Sequence, residues 1–241
     1  MMQTAGAPAT ASPAATSALS PQQIAYFETF GFVHLPGLFR EDMDWIVEAF
    51  EEVFANEGHP RMETYEHLHL AQRRIIIPGF ITRSEKLTRL LEDPRVLGVV
   101  SSLIGPNWEY AESDGNLFFC ESSWHPDTYA APLHQFHIKL SFYLDPLTAE
   151  SGAIRMIPGS NHPKTPYTRL LRRNLEDHTR VPEIYGVDHK DIPSWPLASE
   201  PGDLIVWNFR TIHASFNGGE RRRLFSINFR EKTSEDATAS A

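Results

Sequence analysis

The sequence predicts a mainly β (α+β) domain: a double-stranded β-helix, or cupin-like jelly roll, with flanking N-terminal helices. Three observations carry this expectation. As far as Ile104, apolar residues recur at helical spacing behind capping signals; from Trp108 onward, short strand-like runs alternate with turn residues; and no segment repeats another. A chain of 241 residues also has a length at which sandwiches and barrels form single domains. One domain is therefore expected over residues 21–233. A tail rich in Ala, Thr, Ser and Pro is expected over 1–20, and a short flexible tail over 234–241.

Each element has its own signal. Ser20-Pro21-Gln22-Gln23 places a capping serine before a proline at the first helical position, and Ile24, Phe27 and Phe30 follow on one face. Gly31 ends that helix. Phe32-Val33-His34-Leu35 reads as a strand closed by Pro36-Gly37. A second amphipathic helix is expected over about Glu41 to Asn56, with Met43, Ile46, Val47, Phe50 and Phe54 on its apolar stripe. Gly58 to Phe80 is less regular: it reads as a loop with a strand around Ile75-Ile76-Ile77, carrying His67, His69, Arg73 and Arg74, and forming a wall or lid of a pocket. A helical pair, Ser84 to Leu91 and Pro94 to Ile104, completes the N-terminal part. The strands expected beyond it include Leu117 to Phe119, Phe136 to Leu144, Ala153 to Ile157, Asp203 to Phe209 and Arg222 to Phe229.

Composition narrows the function. Hydrophobic residues at 41% and charged residues at 22% allow a buried core. A formal net charge of -9 argues against binding a nucleic-acid backbone. The one dense basic run, Arg221 to Arg223, is too short to change that. Cys120 is the single cysteine and suits a reducing cytosol. No apolar run approaches bilayer length, and the N-terminus lacks the basic start and apolar stretch of a secretory signal. The expectation is a cytoplasmic protein acting on a small molecule, without nucleic-acid or membrane partners; no feature fixes its oligomeric state.

The chemistry centres on Trp124-His125-Pro126-Asp127. In extended backbone, residues two apart point to the same side, so His125 and Asp127 can offer an imidazole and a carboxylate to one point. A lone H-x-D is common by chance, so the argument needs a third ligand. His213, beyond the turn Pro201-Gly202-Asp203 and the apolar strand Leu204 to Trp207, supplies it. Two histidines and one carboxylate on one face of a metal are diagnostic of non-haem iron(II) oxygenases. If 2-oxoglutarate chelates the iron, its far carboxylate needs a cation, preferably a forked guanidinium. Strand alternation sets Arg223 with Phe225, Ile227 and Phe229, and Arg222 with Leu224, Ser226 and Asn228. The second face reads as a partly polar pocket wall, so Arg222 is chosen and Arg223 is the alternative.

These residues resemble the phytanoyl-CoA dioxygenase-like oxygenases, which also include ectoine hydroxylases. The similarity runs from Ala25 through Phe229. Trp124 to Asp127 looks like the family's W-H-x-D, and Tyr143-Leu144-Asp145-Pro146-Leu147 looks like its strand exit. Ser151 to His162 resembles its G-x-L-R-x-I-P-G-S-H hairpin, with Asn161 inserted. His213 followed by Arg222 and Ser226 resembles its distal histidine and co-substrate arginine. The resemblance implies Fe(II) on His125, Asp127 and His213, 2-oxoglutarate on Arg222, and dioxygen with a small molecule as further substrates. Hydroxylation with release of succinate and CO2 would follow. Halogenating relatives replace the carboxylate ligand with a small residue; Asp127 is present. The alternatives are a cyclase, desaturase or epoxidase using the same site, a cupin-like enzyme with another metal, and a non-catalytic jelly-roll ligand-binding protein.

Other residues carry weaker expectations. Lys139 shares a strand face with His137, Ser141 and Tyr143 and can meet a co-substrate or substrate carboxylate, or be a solvated edge lysine. Asn116 can hydrogen-bond 2-oxoglutarate. His134 and His137 could form a rival metal pair, but no acid or cysteine accompanies them. Tyr65, Trp108, Phe118 and Trp124 line the cavity or belong to the core.

Overall fold

A computed structural model describes residues 18–57, 62–64, 73–119, 121–128, 134–218 and 221–232. Helix α1 (Pro21–Phe30) begins with a capping box: Ser20 accepts from the Gln23 N–H, and the Gln23 side chain accepts from the Ser20 N–H. Gly31, in the left-handed region at φ 87°, turns the chain into strand β1 (Phe32–Leu35). Ahead of the cap, Leu19 is buried and its N–H donates to Ser102 Oγ at 3.0 Å.

Helix α2 (Met43–Asn56) follows and buries Met43, Ile46, Ala49, Phe50 and Val53. Strands β2 (Met62–Thr64) and β3 (Arg73–Pro78) pair with each other. Helix α3 (Glu85–Thr88) tightens into a 3-10 turn over Arg89–Leu91 before the Asp93-capped helix α4 (Pro94–Ile104). The β-rich half comprises β4 (Trp108–Phe118), β5 (Ser122–His125), β6 (His137–Tyr143), β7 (Ile154–Met156), β8 (Trp195–Pro196), β9 (Leu204–Asn208), β10 (His213–Ser215) and β11 (Arg222–Glu231). Between β7 and β8 lie helices α5 (Pro166–Leu175) and α6 (Val181–Tyr185).

The strands form two antiparallel sheets: a major sheet in the order β1-β9-β6-β11-β4-β3-β2 and a minor sheet in the order β5-β10-β7-β8. This is the expected jelly roll. Alternation along β11 divides the molecule into layers. Phe225, Ile227 and Phe229 pack with Phe50, Phe80, Val96 and Val100 in a core between the major sheet and the N-terminal helices. Phe142 and Phe225 stack there at 4.6 Å. Between the sheets, Phe32, Tyr143, Met156, Ile205, Trp207 and Leu224 form a second core. On the outer side of the minor sheet, Trp124, Ile212, Ala214 and Phe216 meet Leu171, Leu175 and Val181 of α5 and α6.

Two differences from the sequence expectation have physical reasons. Strand β4 is 11 residues long, not three; Glu109, Glu112 and Asp114 interrupt its apolar pattern, and Gly115 leaves the space that Phe80 fills, since a β-carbon there would lie 2.1 Å from that ring. Helices α5 and α6 were not expected, although Thr165-Pro166 repeats the cap-and-proline signal of Ser20-Pro21. Of the two places expected for it, Trp124 takes the core: it faces α5 and α6, its indole N–H donating to the His189 carbonyl at 2.8 Å. Trp108 likewise packs against Phe229 on the helical side. The inserted Asn161 is buried and donates through Nδ2 to the Glu28 carbonyl at 3.1 Å, tying the turn after β7 to helix α1.

Candidate metal centre

His125 ends β5 and His213 begins β10, and the two are register partners across the minor sheet. Their rings therefore stand side by side, with centroids 4.4 Å apart. Beyond Pro126 the chain leaves the ladder, and the Asp127 N–H donates to the Phe209 carbonyl at 2.9 Å, folding Asp127 back beside the histidines. One ligand atom from each of the three residues lies within 4.8 Å of the others. This is the one such group among the described residues.

The surrounding bonds set the tautomers. His125 Nδ1–H donates to the Ser123 carbonyl at 2.7 Å, and His213 Nδ1–H to the Thr211 carbonyl at 3.0 Å. Each Nε2 then carries the lone pair a metal requires. Burial pushes the His213 imidazole down to about 3, and burial also lowers His125, so both are neutral near neutrality. Burial alone would raise the Asp127 carboxyl, but the Lys139 ammonium and the two histidines hold it well below the usual carboxylate range. Lys139 Nζ donates to Asp127 Oδ1 at 3.1 Å, and Trp207 Nε1–H to Oδ2 at 2.9 Å. Two neutral imidazoles and one ionised carboxylate, converging within coordinating reach, fit a divalent first-row metal.

Arg222 is buried at the start of β11, on the face shared with Ser226 and Asn228. Its Nη1 donates to the Gly152 carbonyl and to Ser215 Oγ, and its guanidinium lies 5.0 Å from the Phe118 ring centroid. Tyr143 is buried nearby, and burial pushes its phenol up to about 12 against the opposing pull of Arg222. It remains a hydroxyl donor. Arg223 points the other way, half-buried and paired with Asp145 and Glu51.

Not every expected residue meets this centre as anticipated. Lys139 lies against Asp127, its Nζ 3.1 Å from Oδ1. Asn116 is buried and donates through Nδ2 to Asp114 Oδ2 at 2.7 Å, which leaves its Oδ1 as a buried acceptor without a donor among the described residues. His134 is exposed, while His137 packs on Phe209, its Nδ1–H donating to the Gln135 carbonyl at 3.3 Å. Phe118 lies inside, beneath Arg222, with the half-buried Arg74 also 5.8 Å from its centroid. Tyr65, His67, His69 and Cys120 fall outside the described residues. Ser215, Tyr143 and Trp207 were missed. Ser215 was legible, because it follows His213 by two positions on one strand and so shares its face.

The family described as Phytanoyl-CoA dioxygenase (PhyH) matches residues 27–224. No curated protein matches the chain. Among solved structures, the chain is similar to SnoK, a non-heme alpha ketoglutarate dependent carbocyclase from nogalamycin biosynthesis, at 18% identity and a TM-score of 0.69, over 96% of this chain and 94% of that one. It is also similar to HygX from Streptomyces hygroscopicus, solved with nickel and 2-oxoglutarate bound, at 18% identity and a TM-score of 0.67, over 90% and 88% of the two chains. EctD from S. alaskensis in its apoform matches at 18% identity and a TM-score of 0.65, over 92% and 79%. At these identities the likeness is one of fold.

Proposed function

Because the chain belongs to the phytanoyl-CoA dioxygenase family, we propose that it is an Fe(II)- and 2-oxoglutarate-dependent dioxygenase that hydroxylates a small molecule. His125, Asp127 and His213 hold the iron, and Arg222 anchors the far carboxylate of 2-oxoglutarate. The observation that carries this reading is the convergence of three ligand atoms within 4.8 Å, drawn from segments far apart in sequence. When bound, iron and 2-oxoglutarate supply the oxidising power for C–H hydroxylation by dioxygen, with succinate and CO2 released.

The chain's own residues prepare that chemistry. The Ser123 and Thr211 carbonyls fix the imidazoles with Nε2 toward the centre. Lys139 and Trp207 each hold one oxygen of Asp127, which fixes the carboxylate plane and keeps it ionised. Lys139 is in this reading a positioning residue. Arg222 and Tyr143 offer donors to a carboxylate in a buried site, where charge-assisted hydrogen bonds are strong, and Ser215, which accepts from Arg222 and donates to the Gly152 carbonyl at 2.8 Å, holds the guanidinium in place. The core between the sheets shields the site from water. A carboxylate at position 127 favours hydroxylation over halogenation. The setting we propose is a reducing cytoplasm, where iron stays ferrous; no helix among the described residues is long and apolar enough to cross a membrane.

The test is succinate formation from 2-oxoglutarate. The wild type should form succinate only with Fe(II), and His213→Ala should abolish it. Arg222→Ala should raise the KM for 2-oxoglutarate by about tenfold or more, the loss expected for a buried charged hydrogen-bond donor. A jelly roll that merely binds a ligand would form no succinate, and a metalloenzyme independent of 2-oxoglutarate would be indifferent to Arg222→Ala.

A further inference from the structure

The interior face of the major sheet carries a group of acceptors that the reading above leaves unused. Glu112, Asp114 and Asn116 occupy alternate positions of β4, and the register sets them opposite Asn228, Ser226 and Leu224 of β11. Beyond β11, Lys139, Ser141 and Tyr143 of β6 complete the same rows. Asp114 and Glu112 thus share a face with Lys139, whose ammonium rests on Asp127, and lie two strands away, roughly 10 Å at ordinary strand spacing. Glu112 is exposed and Asp114 half-buried, so the group runs from the surface inward beside the metal centre.

The hydrogen bonds within the group leave acceptors over. Asn116 Nδ2 donates to Asp114 Oδ2 at 2.7 Å, and Ser226 Oγ to the same oxygen at 3.3 Å. Asn228 Nδ2 donates to Glu112 Oε1 at 3.3 Å. A carboxylate only accepts, so both amides turn their NH2 groups to the acids and their carbonyl oxygens elsewhere. Asn116 is 2% exposed and Asn228 1%, yet neither Oδ1 meets a donor among the described residues. A buried acceptor without a donor is destabilising, because it has given up water and gained no partner. Among the described residues the acids also lack a cationic partner. Arg230 pairs with Glu109, Arg223 with Asp145 and Lys139 with Asp127; among the described residues no lysine or arginine pairs with Asp114 or Glu112.

We propose that this wall receives the substrate, and that the substrate presents a protonated amine flanked by further hydroxyl or N–H donors. The inference rests on the oxygenase reading for its purpose, but its chemistry is independent of it. An ammonium would offset one of the two negative charges and donate to the acids, while neighbouring donors satisfied the Asn116 and Asn228 carbonyls. A carboxylate or phosphate in the same place would be repelled, and an apolar group would leave the acceptors unmet.

The test uses two matched sets of probes: cyclohexylamine, cyclohexanol and cyclohexanecarboxylate, and glucosamine, glucose and glucuronate. Binding is followed by ligand-observed NMR on the full chain, both metal-free and loaded with Zn(II) and 2-oxoglutarate. At least one amine should bind about tenfold more tightly than its alcohol and carboxylate counterparts, the scale of one charged hydrogen bond. Asp114→Asn and Glu112→Gln should each weaken that amine by about tenfold and leave the alcohol unchanged; Glu112, being exposed, guards against a folding defect at Asp114. Amines that bind no better than their carboxylates, that fail to bind, or that are indifferent to both substitutions overturn the proposal. The oxygenase reading is scored separately, by iron-dependent succinate formation. If that fails while amine selectivity persists, the reaction is wrong and the wall stands; the reverse outcome removes the wall alone.

Discussion

At Gly152 the backbone takes φ 101°, and a β-carbon there would sit 2.5 Å from Arg222 Nη1 and 2.6 Å from the Gly218 Cα. The residue therefore serves by what it lacks: its bare backbone lets the guanidinium reach the carbonyl it donates to. Gly152→Ala should raise the KM for 2-oxoglutarate by about tenfold and destabilise the fold by about 1–3 kcal/mol, the range for a strained left-handed position. Steady-state kinetics paired with denaturant unfolding checks both effects. A loss of stability with KM unmoved would mean that Gly152 shapes the turn without shaping the arginine. At this scale much was legible. Strand parity separated Arg222 from Arg223, because an alternating apolar set on one face leaves the other for the pocket. The partner of Lys139 was not legible, since parity gives a side chain's direction and not its reach; the ammonium spans to a carboxylate 12 residues back in the chain.

Between elements, the end of α1 and the approach to His213 are joined at a single residue. The Gly31 carbonyl accepts from the Asn208 N–H and from Thr211 Oγ1, both at 2.9 Å, and the Thr211 carbonyl in turn orients His213. A β-carbon on Gly31 would meet Thr211 Oγ1 at 2.4 Å and Asn161 at 2.8 Å, on top of its unfavourable φ. Gly31→Ala should therefore cost about 2–3 kcal/mol of stability and also weaken metal binding by shifting Thr211. Chemical denaturation and Zn(II) titration measure the two. A destabilised protein with undiminished metal affinity would uncouple the helix from the ligand. The helices up to α4 were readable from caps and apolar stripes, as were the longer strands. Strands β5 and β10 have four and three residues, too few for periodicity to mark; only their histidines signalled them.

Across the whole molecule, the two sheets bury His213 and partly shield His125, and this makes stability depend on acidity. Burial lowers both imidazoles from the ordinary value of 6.5, His213 to about 3. The unfolded chain takes up protons below pH 6.5, whereas folded His213 does so only near 3. The metal-free protein should therefore lose stability steadily as the pH falls through that window. Asp127 acts in the same direction at lower pH: its lowered value contributes stability that is fully present above the unfolded value of 3.8 and is lost as the pH falls below it. At mild acidity the pH dependence is therefore that of the histidines. Differential scanning calorimetry of the metal-free chain should show Tm falling between about pH 7 and pH 5. With Zn(II) bound, Tm should be higher at pH 7 and the gap should shrink on acidification, as protons compete for the imidazoles. A flat metal-free profile would contradict the burial of these rings. The jelly roll itself was legible from the change of pattern after Trp108. The layer added by α5 and α6 was not, because a cover on the outside of a sheet leaves no trace in the strands it covers beyond apolar residues such as Trp124 and Phe216.

The indole of Trp207 donates to Asp127, and its ring centroid lies 5.4 Å from that of His213. A fluorophore so close to three ligand atoms makes the centre self-reporting: an open-shell ion settling there would dim its emission, and a closed-shell ion such as zinc would not. Occupancy could then be followed by light alone, without dye or label.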